Sequence, residues 1–156
     1  MNPSSGDPFP ETETAFHGSA LSITARALTV VMVLVCVAPL VTACFLQPAS
    51  AGLGTHQQLG LPPCSMRFLL GIRCPACGMT TSWAHFVRGA WLASLQSNAA
   101  GFLLAALNCG LIFAGVIAII RGQKPSPPLL RRFAYLAVAA GGVALIDWVA
   151  RLAGYL

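Results

Sequence analysis

The sequence predicts an all-α integral membrane protein with three transmembrane helices, because it carries few charges and three long apolar stretches. Of its 156 residues, 8% are charged and 56% are apolar, and the mean hydropathy is +0.75. A soluble domain is about one quarter charged, so this composition argues against a soluble globular domain and excludes a disordered chain. The net charge of +5 is spread thinly, without a long basic run. We therefore expect contact with the lipid bilayer and no nucleic-acid partner.

Three stretches have the length of a membrane span. A hydrocarbon core about 30 Å thick needs about 20 helical residues to cross it. The predicted spans are 27–46, 99–120 and 133–155, which contain few or no charged residues. They predict a multi-pass membrane protein.

Polar residues in and around these spans have predictable roles. Asn98 precedes the second span and is a candidate N-cap. Asn108 lies inside that span, where an amide is expected to face another helix. Asp147 and Arg151 are four residues apart in the third span, with the acid first. This order predicts a structural ion pair on one helical face at the membrane edge.

The remaining chain divides into a tail and a loop. Residues 1–24 hold three of the four acids and several prolines, which predicts a disordered N-terminal tail. Residues 25–156 then form the membrane domain. The loop 60–98 contains short amphipathic segments with Trp and Arg, which suit one or two interfacial helices. The first of these segments begins at Met79, and the hydroxyls of residues 80–82 are available to cap it.

The segment Cys74-Pro75-Ala76-Cys77-Gly78, with Cys64 ten residues upstream, carries the most specific chemistry. Proline fixes the backbone after the first thiol, and glycine accepts the left-handed conformation that lets both sulfurs point the same way. Such a turn can form half of a zinc site, a redox dithiol or a rigid structural corner. We therefore expect the sulfurs of Cys74 and Cys77 to lie side by side.

The sequence leaves these three interpretations open. A complete zinc site needs a fourth ligand; His85 would lie about 12 Å along a helix from Cys77, whereas His56, on a loop, could reach the thiols. A redox role is favoured because Cys74 and Cys77 precede a helix N-terminus, which lowers thiol pKa values. Against it, the surrounding chain lacks a thioredoxin-like βαβ pattern. In the structural interpretation, a disulfide or buried thiols hold the turn together.

At these residues the sequence resembles a bacterial membrane family, domain of unknown function 2752. The resemblance rests on Cys64, the run from Gly71 to Thr80, Arg88-Gly89, Ala93 and Asn98. The family pattern has Arg where Thr81 stands and Pro where Ala99 stands. If the family's Arg binds a ligand, this chain either lacks that function or uses Arg73 or Arg88 instead. The resemblance implies an architecture, a location in the bacterial inner membrane and the location of a site, and names no reaction. Together with the CPxC turn, the family spacing of the upstream cysteine implies one cluster of Cys64, Cys74 and Cys77. The supporting residues are Pro75, Gly78, Thr80, Thr81, Gly89 and Asn98.

The sequence favours a structural or partner-binding membrane subunit, with a membrane protein or a second copy as partner. A thiol-redox or zinc-binding protein is the alternative. The only acid within the spans is the paired Asp147, so no acid/base set favours an enzyme. The connection 121–132 carries four positive charges in twelve residues, which predicts that it and the N-terminus are cytoplasmic. The cysteine loop would then lie on the outer face, where disulfides persist.

Overall fold

Three long helices dominate the structure, a computed structural model that describes residues 16–153. They are α1 (Ile23–Phe45), α5 (Ala99–Arg121) and α6 (Pro127–Ala153), with mean hydropathies of 2.6, 2.5 and 1.8 in their most apolar windows. Each is long and apolar enough to cross a membrane. The predicted fold class is therefore confirmed, and the chain fits a multi-pass membrane protein. The last two residues of the predicted third span lie outside the described residues.

Helix α5 is the central span, because it packs against both α1 and α6. A Cβ added at Gly115 would lie 2.6 Å from Cγ2 of Val33 in α1, so the glycine permits this close approach. Asn108 Nδ2 donates a hydrogen bond of 2.7 Å to the Cys36 carbonyl oxygen in α1. The predicted contact of this amide with another helix is thus confirmed.

A short two-stranded ladder lies at one end of the three spans. Strand β1 (Phe16–Ala20) pairs antiparallel with β2 (Gln123–Pro125). Residues 1–15 of the tail predicted to be disordered lie outside the described residues, but residues 16–20 form this strand, since β2 offers them backbone partners. The connection 121–132 is not an irregular Pro-rich loop, because it contains β2 and the first turns of the third long helix. Helix α6 begins at Pro127, because proline is tolerated in the first turn of a helix.

The opposite end is formed by the chain between α1 and α5. It contains a 3₁₀ turn and three short helices: Thr55–Leu59, α2 (Ser65–Leu70), α3 (Met79–Phe86) and α4 (Trp91–Ser97). The sequence predicted one or two short helices here. Helix α3 packs against α1, α4 and α5, so this segment rests directly on the ends of two spans.

The buried core is built from small side chains. Among the described residues, eight hydrophobic residues are buried, and six of these are alanines. Large apolar side chains face outward instead, for example Phe45 (81% exposed), Phe113 (69%) and Val138 (75%). Such a surface would be unfavourable in water. It fits a protein surrounded by lipid.

Candidate functional site: a cluster of three cysteines

The structure brings the three loop cysteines together. The Sγ atoms of Cys64, Cys74 and Cys77 all lie within 4.8 Å of one another. The Sγ atoms of Cys74 and Cys77 are 3.1 Å apart, and the backbone amide of Cys74 also donates to Cys77 Sγ at 3.3 Å. All three residues are half-buried, and no disulfide joins them in the structure. The cysteines therefore form the single cluster that the sequence predicted.

Two glycines with left-handed backbone make this convergence geometrically feasible. Helix α2 carries Cys64 at its N-cap and ends at Gly71, whose φ is +70°. The CPxC turn ends at Gly78, whose φ is +88°. A Cβ at Gly78 would lie 2.6 Å from the Ser97 carbonyl oxygen and 3.0 Å from that of Gly52. Glycine at position 78 is therefore needed both for its backbone conformation and for the close approach of two other chain segments.

The thiols of Cys64 and Cys77 differ in acidity. Backbone hydrogen bonding from Arg67 is the largest influence on Cys64, and together with the neighbouring thiols it lowers the pKa of Cys64 to about 7. Burial, reinforced by the hydrogen bond with Cys74, raises the pKa of Cys77 to about 12. The expected lowering at Cys77 by the following helix is wrong, because the loss of hydration outweighs any effect of the helix terminus. Cys64 is therefore more acidic than Cys77.

His56 lies beside the cluster but does not belong to it. Its Nε2 atom is 3.2 Å from the Pro62 carbonyl oxygen. His56, Cys64 and Cys77 line a common cavity of about 30 Å³. That volume is sufficient for a single water molecule. His85, which the sequence excluded as a ligand, lines a different pocket.

Asn98 connects the cysteine turn to the second span. Its Nδ2 atom donates to the carbonyl oxygens of Pro75 and Cys77, each at 3.1 Å. Its Oδ1 atom accepts from the Gly101 amide at 2.7 Å, which makes Asn98 the N-cap of α5, as predicted. One side chain thus satisfies a helix terminus and holds the CPxC backbone in place.

Buried hydroxyl pairs fix α3 beneath the turn. Thr81 is fully buried, and its Oγ1 lies 2.8 Å from Oγ1 of Thr55. Ser82 and Ser94 join α3 to α4 through an Oγ–Oγ contact of 2.9 Å. The expectation that hydroxyls of residues 80–82 cap α3 is wrong for Thr81 and Ser82, because Gly78 is the N-cap and these side chains bond to other segments. Thr80 lines an apolar pocket instead.

Arg88 closes the end of the first span. Its guanidinium donates to the carbonyl oxygens of Ala43 (3.2 Å), Cys44 (3.2 Å) and Leu46 (2.6 Å), and to that of Ala84 (2.6 Å). The last carbonyls of a helix have no partner within it, and arginine can serve several of them at once. This contact of Arg88 with the end of α1 was not predicted from the sequence. Gly89 follows with φ +74° and no heavy atom near an added Cβ.

The end of the third span also reaches the loop. Asp147 Oδ2 and Arg151 Nε are 2.9 Å apart, so the predicted ion pair is confirmed. The neighbouring Trp148 donates from Nε1 to the Arg73 carbonyl oxygen at 2.6 Å. The ion pair, the cysteine cluster and the ends of all three spans therefore lie at one end of the molecule.

One comparison with known proteins gives a match, and the matched segment includes the cysteine cluster. Residues 64–112 match the model of a family described as "Protein of unknown function (DUF2752)". No curated protein and no solved structure matches the chain. The matched segment contains the three cysteines, Asn98 and the first half of α5. The family resemblance predicted from the cysteine loop is therefore confirmed over residues 64–112.

Proposed function

We propose that the chain is a small bacterial inner-membrane protein whose outer loop binds one metal ion that prefers sulfur ligands. Zinc is the ion that we propose. Cys64, Cys74 and Cys77 supply the ligands. The observation that carries this proposal is the convergence of three sulfurs from two separate segments within 4.8 Å. The bound ion would connect α2 to the CPxC turn.

The spacing of the sulfurs suits a metal ion. In a tetrahedral zinc site with Zn–S bonds of about 2.3 Å, neighbouring sulfurs are about 3.8 Å apart. The sulfurs of Cys74 and Cys77 are 3.1 Å apart and all three pairs lie within 4.8 Å, so small side-chain rotations reach that geometry. Metal binding would deprotonate all three thiols, including Cys77, since a coordinated thiol is a thiolate.

The fourth position is open to water or to His56. The small cavity beside Cys64 and Cys77 can hold a water molecule, and His56 lies on its wall. The contact of His56 Nε2 with the Pro62 carbonyl oxygen leaves Nδ1 as the ring nitrogen that could bind the ion. Comparing Cys64→Ser with His56→Ala distinguishes the two: a water-completed site tolerates the loss of His56 but not of Cys64.

The positive charges support an outer location for this loop and a cytoplasmic N-terminus. Arg26 Nη2 donates to the Ile119 carbonyl oxygen, so this arginine lies at the same end as Arg121 and Lys124. Arg131 and Arg132 begin α6 at that end. The cysteine end holds four positive charges, of which Arg88 is used by carbonyl oxygens and Arg151 is paired with an acid. Arg67 and Arg73 are the other two, so five positive charges at the opposite end face four here. The charge that favours the cytoplasm is thus greater opposite the cysteines.

Topology is tested with a membrane-impermeant maleimide. Cys36, Cys44 and Cys109 are first replaced by Ser, so that only the cluster can react. Reduced, chelator-treated intact cells should then be labelled at Cys64, Cys74 or Cys77. Labelling that occurs only after lysis would place the loop in the cytoplasm and contradict the assignment.

Metal binding is tested by the zinc content of protein purified in detergent. We expect about one zinc per chain after loading and dialysis, and a loss of most of it in Cys64→Ser, Cys74→Ser and Cys77→Ser. Cys109→Ser is the matched control, because this exposed cysteine lies in α5 outside the cluster. Equal zinc content in all five proteins would refute the site.

A redox dithiol is the second candidate, favoured by the 3.1 Å between Cys74 Sγ and Cys77 Sγ. In that reaction the two thiols form one disulfide, and two electrons and two protons pass to a disulfide of a partner protein, which becomes a dithiol. The acidic Cys64 would lie beside the pair as a third thiol. Acid stops thiol exchange, so the mass of the acid-quenched protein reports its oxidation state. A mass lower by two hydrogens, in a protein without bound zinc, would favour the redox function.

A partner-binding role is compatible with either chemistry. Helix α6 exposes Tyr135, Val138 and Gly141, and a Cβ added at Gly141 would meet nothing within 4 Å. Small and apolar residues on one face are what associating membrane helices use. We propose a second membrane protein or a second copy as partner, to be tested by crosslinking in native membranes. If the chain crosslinks neither to another membrane protein nor to a second copy of itself, it has no partner-binding role.

A further inference from the structure

A second pocket, separate from the cysteine cluster, lies where two spans leave the membrane. Its volume is about 410 Å³, within the usual range for small-molecule sites. One wall is formed by residues 48–52, which follow the end of α1 at Phe45. The other wall includes Gln96 and Ser97 at the end of α4, directly before α5 begins at Ala99. The pocket is therefore at the level expected for lipid headgroups.

The polar side chains of this pocket are those that recognise anions. Arg73, His85 and Gln96 line it, and no acidic residue does. Among residues 16–153 the only acid is Asp147, which is paired with Arg151. An arginine presents several N–H donors in a planar fork that suits phosphate oxygens. Imidazole and amide N–H groups add further donors.

These donors have no partner within the described part of the protein. No hydrogen bond or ion pair there involves the guanidinium of Arg73, the imidazole of His85 or the amide of Gln96. Arg73 is half-buried, and a cation withdrawn from water without a counter-charge is unfavourable. By contrast, Arg88 from the same loop is fully engaged by four carbonyl oxygens. Arg73 is thus available for a ligand where Arg88 is not.

We propose that this pocket binds a phosphate group, either the phosphodiester of an anionic lipid headgroup or a free phosphate. Arg73 provides the charge and the bidentate contact, and His85 and Gln96 in the pocket lining add further N–H donors. This site does not depend on the metal, since no residue lines both this pocket and the cavity beside the cysteines.

Two binding measurements on the full-length protein separate the two sources of phosphate. In the first, inorganic phosphate is added to the protein in uncharged detergent, and chloride is used as the comparison anion at the same ionic strength. The melting temperature of the protein is measured at each phosphate concentration. In nanodiscs, retention of phosphatidylglycerol is compared with that of phosphatidylcholine by native mass spectrometry. A response only to inorganic phosphate identifies a soluble ligand, and selective lipid retention identifies a headgroup.

The variants Arg73→Gln and His85→Gln test the assignment of residues. Removing a hydrogen bond to a charged group should weaken binding about tenfold to hundredfold, and Arg73→Lys should recover only part of it. Arg132→Gln is the matched control, because it removes one exposed positive charge at the other end of the spans and should bind like the parent.

Three results would overturn the proposal. One is a parent protein that responds in neither measurement. Another is an affinity that is unchanged in both Arg73→Gln and His85→Gln. The third is an equal loss of affinity in Arg132→Gln, which would indicate general charge attraction. The zinc content and ligand-free melting temperature of each variant are measured alongside, and should match the parent. If Arg73→Gln does not fold, His85→Gln and Gln96→Leu decide the outcome on their own.

Discussion

Replacing Gly78 by alanine tests whether close backbone packing holds the cysteine turn in place. The added Cβ would lie 2.6 Å from the Ser97 carbonyl oxygen and 3.0 Å from that of Gly52. Both are backbone atoms, so neither can rotate away as a flexible side chain could. The residue must also keep a φ of +88°, which alanine adopts at a cost.

The two effects add to a substantial destabilisation. A left-handed conformation costs an L-residue about 1–2 kcal/mol. Overpacking against a fixed neighbour costs about 1–3 kcal/mol, so Gly78→Ala should lower the free energy of unfolding by about 2–5 kcal/mol. Gly71→Ala is the matched control, because its φ is +70° and nothing lies within 4 Å of an added Cβ. The control should lose only about 1–2 kcal/mol.

Unfolding in mixed detergent micelles measures both variants against the parent, and zinc content reports on the cluster. Gly78→Ala should also bind zinc more weakly, since the shift moves Cys77. Equal destabilisation of the two variants would show that the approach of residues 52 and 97 is not what requires glycine at position 78. Only the left-handed backbone conformation would then require glycine at position 78.

Further predictions concern Arg88, Asn108 and the thiols. Arg88→Gln should destabilise the protein by about 2–4 kcal/mol, because carbonyl oxygens at the end of α1 lose a charged donor; unchanged stability in the same unfolding assay would contradict the capping role. Asn108→Leu should cost about 0.6–1.7 kcal/mol through loss of the bond to Cys36, and a more stable variant would contradict it. In metal-free reduced protein, alkylation of Cys64 should be half-maximal near pH 7 and slow as pH falls below it, because only the thiolate reacts. Over the same pH range Cys77, with a pKa of about 12, should stay unreactive; mass spectrometry of peptides showing equal reactivity would contradict this order.

The features predictable from the sequence are those that depend on local pattern. The spans follow from runs of apolar residues as long as the membrane is thick. The Asp147–Arg151 pair follows from a spacing of four on a helix. Asn98 could be assigned as an N-cap because its amide acts on the next turn of its own helix. The clustering of Cys64 with the CPxC turn was predicted from the motif.

The features that could not be predicted depend on contacts between distant segments. Thr55 and Thr81 are 26 residues apart, and nothing in either local sequence signals their bond. Arg88 reaches carbonyl oxygens more than 40 residues away. The acidity of Cys64 relative to Cys77 depends on burial and on backbone amides that face each sulfur. A two-strand ladder between residues 16–20 and 123–125 likewise needs the spans to be assembled first.

The most direct test of the proposed function is X-ray absorption spectroscopy at the zinc edge on zinc-loaded protein. We predict three sulfur ligands at about 2.3 Å and one lighter ligand at about 2.0–2.1 Å. In Cys64→Ser most of the zinc signal should be lost, while the site in Cys109→Ser should be unchanged. A first shell of only nitrogen and oxygen, or a zinc-free protein with a Cys74–Cys77 disulfide, would contradict the three-cysteine metal site.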